Sequence, residues 1–243
     1  MATGLLLIHA FPVDARMWEP QLTSFGARLP VVAPHLPGFG GTAGPEVLTM
    51  AAAAEACVAA LDEADVETAV VCGLSIGGYI AFELWRAARP RVAALALANT
   101  RAEPDTPEGA AGRRALAERL RTEGVDFFVK EPPPLLAEDA PADRWDRVRA
   151  MIADQTPEAI AAAALGMAER PDSVPELPTI DVPTLVITGT ADRLIPPDVT
   201  AGIADGVEGA ELIRIEGAGH LSNLEAPASF DTALDGLLAG LEL

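Results

Sequence analysis

Short apolar runs alternate along the chain with segments of helical periodicity. Most of these runs are continuously apolar and lie between glycine, proline or charged residues, a pattern typical of strands that helices cover on both faces. The predicted strands are 4–9, 31–33, 68–72, 92–98, 184–188 and the more amphipathic, edge-like 211–215. The predicted helices between them are 47–64, 76–88, 197–206 and 226–241.

This alternation predicts an α/β domain with a doubly wound, mostly parallel sheet. The pattern fails between residues 101 and 179, where the chain is rich in proline and charge and helical only in patches. Long excursions in compact domains are usually functional when they are ordered. We therefore predict a single domain, with a core of residues 1–100 and 180–243 and an inserted helical lid at about 101–179.

The charge and composition of the chain limit the classes of molecule that we expect it to bind. The chain has 17 Lys and Arg against 36 Asp and Glu, a net charge of −19, so we expect neither nucleic acid nor an anionic membrane as a partner. Cys57 and Cys72 follow no disulfide or metal spacing. No targeting segment or membrane span is indicated, and we expect a cytoplasmic protein with no cofactor.

A candidate nucleophile, Ser75, lies in the sequence Gly-Leu-Ser-Ile-Gly at residues 73–77. The G-x-S-x-G pattern is weak alone, but here it directly follows a predicted strand and precedes a predicted helix. Glycines would let the helix begin close to the strand, and its N-terminus would point free N–H groups at the serine. The alternative, a phosphate-binding turn, lacks the lysine of a P-loop and the G-x-G-x-x-G spacing.

A serine nucleophile needs a base and a carboxylate that orients it. Among the three histidines, His220 lies after the last predicted strand in a glycine-flanked loop, which we expect to be exposed, whereas His9 and His35 lie near the N-terminus. Asp192 follows the buried run 184–188, which places it at the carboxyl end of the sheet. Asp105 and Asp205 are the alternative acids.

Acyl transfer also places negative charge on an oxygen, which two backbone N–H groups typically stabilise. Ile76, directly after the serine, is one candidate donor. Phe11, in the loop after the first strand, is the other, because the neighbouring Pro12 has no N–H.

With these residues in place, the chain resembles the α/β-hydrolase superfamily. The resemblance rests on HAFP, APHLPGFGGT, GLSIGG, GTAD and GAGH, and it spans nearly the whole chain. Within the superfamily the chain is most similar to small serine esterases and 3-oxoadipate enol-lactonase-like hydrolases. The resemblance implies hydrolysis of a small carboxylic ester through an acyl-enzyme. Alternatives are enol-lactone hydrolysis, a cofactor-free perhydrolase or haloperoxidase activity, and a non-catalytic ligand receptor on the same scaffold.

The sequence departs from the superfamily pattern at three places. Ala10 replaces a glycine in the oxyanion loop, and His35 replaces an aspartate. The first β-hairpin of the fold is missing, which predicts six strands and makes 31–33 a sheet edge. We expect the N-terminal residues or a partner subunit to cover this edge, in a monomer or a homodimer.

Some residues of the predicted lid are candidates for the substrate pocket. Trp145, Phe127, Phe128 and Met151 would either line it or form the core of the lid. Arg101, after the strand 92–98, would either bind a substrate carboxylate or be an ordinary surface residue.

Overall fold

A single parallel sheet organises the computed structural model, which describes residues 2–241 and 243. Its strand order is β2-β1-β3-β4-β5-β6, and every neighbouring pair is parallel. The strands are β1 (Ala2–Ile8), β2 (Val31–Val32), β3 (Val66–Leu74), β4 (Val92–Ala98), β5 (Thr184–Gly189) and β6 (Glu211–Ile215). The central strands are almost fully buried because helices cover both faces of the sheet.

Helices fill the connections between these strands. The α-helices are α1 (Glu19–Phe25), α2 (Met50–Glu63), α3 (Ile76–Ala88), α4 (Pro107–Glu123), α5 (Asp126–Lys130), α6 (Ala142–Ala153), α7 (Pro157–Ala168), α8 (Pro197–Gly206), α9 (Ser222–Glu225) and α10 (Pro227–Ala239). Short 3-10 helices span Ala15–Trp18, Arg89–Arg91 and Val174–Thr179. No helix in the described part of the chain is long and apolar enough to cross a membrane.

The predicted doubly wound α/β fold is confirmed. Crossover connections between parallel strands are right-handed. The chain moves from β1 toward one edge to form β2, whereas from β3 onward it moves toward the other edge through β4, β5 and β6. Helix α1 therefore lies on one face with α10, which it contacts, and α2, α3 and α8 lie on the other face. The winding direction reverses between β1 and β3, so ligands are expected beyond the carboxyl ends of these two strands.

The β2 edge of the sheet is only two residues long, and both residues are half-buried. A short edge strand offers little backbone for pairing with another chain. The prediction that N-terminal residues cover this edge is wrong, because residues from Ala2 onward form β1, which pairs with β2 on its inner side. The oligomeric state stays a prediction.

The long connection between β4 and β5 contains α4, α5, α6 and α7 and no strand among its residues, all of which are described. We call residues 101–179 the helical segment. Within it, α4 packs on α7 and α5 on α6.

Candidate active site

Ser75 occupies the sharp turn between β3 and α3, directly after the last residue of β3. It therefore lies at the carboxyl end of one of the two strands between which the winding direction reverses. Its backbone has φ 59° and ψ −115°, a region that side chains other than glycine rarely adopt. Neighbouring residues hold the turn in place. The Ser75 N–H donates to the Ala98 carbonyl at 3.0 Å, and the Ser75 carbonyl accepts from the Thr100 hydroxyl at 2.8 Å.

Two glycines flanking this turn allow α3 to begin against the sheet. A Cβ atom on Gly73 would lie 2.2 Å from the Gly77 carbonyl oxygen, and one on Gly77 would lie 2.3 Å from the Ile8 carbonyl oxygen. Both distances are far below van der Waals contact, so only glycine fits. The G-x-S-x-G pattern is therefore required by the close approach of α3 to β3 and β1.

His220 and Asp192 lie side by side beyond the ends of β6 and β5. His220 Nδ1 and Asp192 Oδ2 are 2.9 Å apart, and both side chains are fully buried. The other carboxylate oxygen, Oδ1, accepts from the N–H groups of Leu194 at 2.8 Å and Ile195 at 2.9 Å. Burial alone would raise the pKa of Asp192, but the nearby His220 and these hydrogen bonds hold that pKa below its ordinary value.

The part of the loop that carries His220, residues 218–221, is buried, so the prediction that His220 lies at an exposed loop tip is wrong. The helical segment packs directly on it: a Cβ on Gly219 would lie 2.3 Å from the Ala137 nitrogen, and the Leu221 N–H donates to the Leu135 carbonyl at 2.9 Å. Glu225 joins the two, since its carboxylate accepts from the N–H groups of Ala137 and Gly219, each at 2.8 Å. Gly219 therefore serves close packing, whereas Gly217 has open space around it and a φ of 72°.

The reactive atoms of both side chains remain without partners. His220 Nε2 is buried and makes no hydrogen bond with any described residue, and Ser75 Oγ makes none either. No hydrogen bond therefore joins Ser75 to His220 in this structure. Catalytic hydrogen bonds are often long or absent until substrate binds.

The two candidate oxyanion donors also have free N–H groups within the described chain. Phe11 lies in the loop after β1 and Ile76 is the first residue of α3, and neither amide donates to another described backbone or side chain. The peptide bond between Phe11 and Pro12 is cis. Ala10, which replaces the glycine of the resembled pattern, is buried, and its N–H donates to the Met17 sulfur at 3.1 Å.

The two other histidines support this loop. His9 is buried, and its Nε2 accepts from the Leu36 N–H at 3.0 Å. Burial lowers the pKa of His9 to about 4, so its ring is neutral near pH 7. His35 accepts a long hydrogen bond from the Ala15 N–H at 3.4 Å, at the start of the 3-10 helix Ala15–Trp18.

A cavity of about 280 Å³ opens onto Ser75. Its lining residues are Phe11, Ser75, Tyr79, Arg101, Asp105, Arg113, Leu116, Phe128, Pro133, Met167, Leu194 and Ile195. Of the four aromatic and methionine candidates, only Phe128 lines it, while Phe127, Trp145 and Met151 pack elsewhere in the apolar core. More than half of the lining comes from the helical segment.

The alternative acids do not contact His220. Asp205 is exposed on α8, and Asp105 lines the cavity, where it pairs with Arg113 and Arg170. Arg101 lines the same cavity. In residues 2–241 and 243, no group of three or more His, Cys, Asp or Glu side chains is placed to hold a metal ion.

Asn99 is a site residue that the sequence patterns did not reveal. It follows β4 with φ 44° and is fully buried. Its Nδ2 donates to Asp192 Oδ2 at 2.9 Å, the oxygen that also contacts His220, and to the Gly219 carbonyl at 3.3 Å. The sequence feature that could have indicated this residue is its position directly after β4, a buried strand that pairs with β3.

A profile of the alpha/beta hydrolase family matches residues 5–233. The chain belongs to this family, and it is a hydrolase. This agrees with the α/β-hydrolase resemblance, including the predicted likeness to esterases and enol-lactonases.

Relatives and solved structures cover nearly the whole chain. A thermophilic esterase from Thermogutta terrifontis, solved with malate bound, is 38% identical, with a TM-score of 0.94 over 100% of this chain and 92% of that chain. A pimeloyl-[acyl-carrier protein] methyl ester esterase of Aromatoleum aromaticum is 30% identical over 97% of this chain and 98% of its own length. The 3-oxoadipate enol-lactonase 1 of Acinetobacter baylyi is 26% identical over 99% and 90%.

Proposed function

We propose that this chain is a serine hydrolase that cleaves small carboxylic esters through an acyl-enzyme. The observation that carries the proposal is the buried His220–Asp192 pair, which stands beyond the same sheet end as the strained Ser75 turn and its cavity. A strained backbone at a cavity and a buried, oriented histidine are costly features that a purely structural role does not require.

In the proposed reaction, Ser75 Oγ attacks the ester carbonyl carbon while His220 Nε2 takes the hydroxyl proton. The N–H groups of Phe11 and Ile76 donate to the oxyanion that forms. The bond between carbon and the alcohol oxygen breaks, and His220 returns its proton to the departing alcohol. Water then attacks the acyl-enzyme and gives a proton to His220, which passes it to Ser75 Oγ as the bond between the acyl carbon and Oγ breaks and the acid is released. Throughout, Asp192 holds the imidazole tautomer and stabilises its charged form.

The helical segment fits the role of a lid in this proposal. It supplies more than half of the cavity lining and covers the histidine loop at residues 135–137. A cover of this kind excludes water and strengthens the electrostatic interactions of the site.

Enol-lactone hydrolysis is a second candidate, which the similarity to the Acinetobacter enol-lactonase favours. The same groups would serve, since a lactone is a cyclic ester whose leaving oxygen stays attached to the acid. A panel of linear esters and enol-lactones separates the two activities.

A fluorophosphonate probe tests the nucleophile directly. We expect the purified protein to hydrolyse p-nitrophenyl butyrate and to react with the probe at one residue per chain, which mass spectrometry identifies as Ser75. The exposed Ser24 provides a control, since Ser24→Ala should react normally while Ser75→Ala should not. Folded protein that neither reacts nor hydrolyses the ester would contradict the proposed function.

A further inference from the structure

Three arginines gather at the cavity, although the chain as a whole carries a net charge of −19. Arg101 and Arg113 line the cavity together with Ser75. Arg170 is buried beside them and bonds to the cavity residue Asp105 at 2.8 Å. The sign of the charge at the cavity is therefore opposite to that of the protein.

Asp105 neutralises only part of this positive charge. Arg113 donates to one of its oxygens and Arg170 contacts the other. Burial raises the pKa of Asp105, but the two arginines outweigh that effect and leave the pKa below its ordinary value, so the carboxylate is ionised near pH 7. Glu83, which lines an adjacent cleft with Arg101, is paired with Arg86 at 2.5 Å. One carboxylate against three guanidinium groups leaves an excess of positive charge.

Arg101 carries the uncompensated charge. It is half-buried, and it makes no ion pair or hydrogen bond with the part of the chain that the structure describes. A cation that is partly removed from water without an anionic partner costs free energy, which a bound anion would offset. The planar guanidinium matches a carboxylate through two parallel hydrogen bonds.

We propose that Arg101 binds a carboxylate of the substrate, so that the preferred substrates are small esters or lactones that also carry a free carboxylate. The inference rests on the proposed hydrolysis at Ser75, which lines the same cavity. The volume of about 280 Å³ favours short acyl chains such as those of monoesters of small dicarboxylic acids.

Two matched esters test this substrate class. Monoethyl glutarate and ethyl pentanoate have acyl chains of equal length and differ in a terminal carboxylate against a methyl group. We expect the kcat/KM of the wild-type protein, measured by acid release at fixed pH, to be higher for monoethyl glutarate. The ratio of the two values should fall about 30-fold in Arg101→Gln, because charge-assisted hydrogen bonds are lost. Arg101→Lys should retain part of the ratio.

The neighbouring surface supplies a control, since Arg114 on α4 is exposed and Arg114→Gln should keep the wild-type ratio. A wild-type ratio near one, or an unchanged ratio in Arg101→Gln, overturns the proposal. Calorimetric binding of monoethyl glutarate to Ser75→Ala protein tests Arg101 without turnover. Adding Arg101→Gln to that variant should weaken binding about 30-fold, and equal affinities would overturn the proposal. Absent turnover of both esters by the wild type would instead contradict the proposed function.

A different observation concerns Asn99, whose side chain lies between the acid and the histidine loop. Asp192 Oδ2 and the Gly219 carbonyl only accept hydrogen bonds, so the two hydrogens of the Asn99 amide match them. The amide oxygen accepts from the Ser222 hydroxyl at 2.6 Å, which fixes this orientation. Asn99 thus ties Asp192 to residues on both sides of His220.

We infer that Asn99 is a positioning residue that holds the Asp192 carboxylate toward His220. Asn99→Asp is the sharpest test, because aspartate has nearly the same shape and tolerates the positive φ, but its carboxyl group can replace at most one of the two amide N–H donors. We expect kcat to fall about 10–100-fold. KM should change much less than kcat, because Asn99 does not line the cavity.

Ser222→Ala provides a second variant that leaves Asn99 in place. It should lower kcat less than Asn99→Asp, and the two effects should be non-additive because both act through one network. Ser229→Ala, on the exposed face of α10, is the matched control. A wild-type kcat in Asn99→Asp, or a KM that changes as much as kcat, would overturn this inference, while ester turnover by the wild-type protein separates it from the proposed function.

Discussion

Asp192→Asn should lower kcat for ester hydrolysis by about 10⁴-fold, the scale of the same replacement in serine proteases. The asparagine fills the same space, but it can present its amide N–H₂ to His220 Nδ1 and so stabilise the wrong tautomer. The Leu194 and Ile195 N–H groups would also lose a charged acceptor. The kinetics of p-nitrophenyl butyrate hydrolysis measure the effect.

Asp205 provides a matched control for this substitution. It is exposed on α8, and Asp205→Asn should leave kcat within about twofold of wild type. Asp105→Asn is not a neutral control, because Asp105 bonds to Arg113 and Arg170 at the cavity. Near-normal kcat in folded Asp192→Asn protein would require another residue as the acid.

Ser75→Gly and Ser75→Ala should both abolish hydrolysis, by about 10⁶-fold in kcat, yet differ in stability. The φ of 59° and ψ of −115° strain any residue with a Cβ atom. Glycine removes that strain but gains entropy in the unfolded chain. We expect the net result to be a free energy of unfolding about 1 kcal/mol higher for Ser75→Gly than for Ser75→Ala.

Urea denaturation of the two variants measures this difference. Both variants lack the Ser75 hydroxyl, so they differ only in the Cβ atom. The same comparison of Ser24→Gly with Ser24→Ala gives the stability difference between glycine and alanine at a residue in α1. There glycine should be the less stable, since it weakens a helix. Equal stabilities of the two Ser75 variants would contradict this expectation, because the strain would then be no larger than the effect of the entropy that glycine gains in the unfolded chain.

Much of the fold could be predicted because its central strands are largely continuous apolar runs bounded by polar, charged, glycine or proline residues. The bounds of β4 and α3 agree with the predicted 92–98 and 76–88 for this reason. Helix α1 was missed: Pro20 falls in its first turn, where proline is favoured, although in the sequence it suggests a break.

The surroundings of the candidate site were harder to predict than the positions of Ser75, Asp192 and His220 in the fold. Those three follow strands, so the strand order alone brings their loops together. The cavity lining depends on how the helices of 101–179 pack on one another, which no periodicity specifies, so the sequence left open whether Phe127 and Trp145 line the cavity or pack in the core. The role of Asn99 depends on three loops that converge only in the folded chain.

The contact made by Glu225 has a consequence for engineering. Its carboxylate accepts hydrogen bonds from one N–H group of the helical segment, at Ala137, and from one beside His220, at Gly219. The segment is thus not an interchangeable module. A chimera that grafts a different cap onto this scaffold must retain a backbone donor at position 137, or it will leave a half-buried carboxylate without that partner and loosen the loop that carries His220. Substrate range is better altered from α4 and α7, which do not share that anchor.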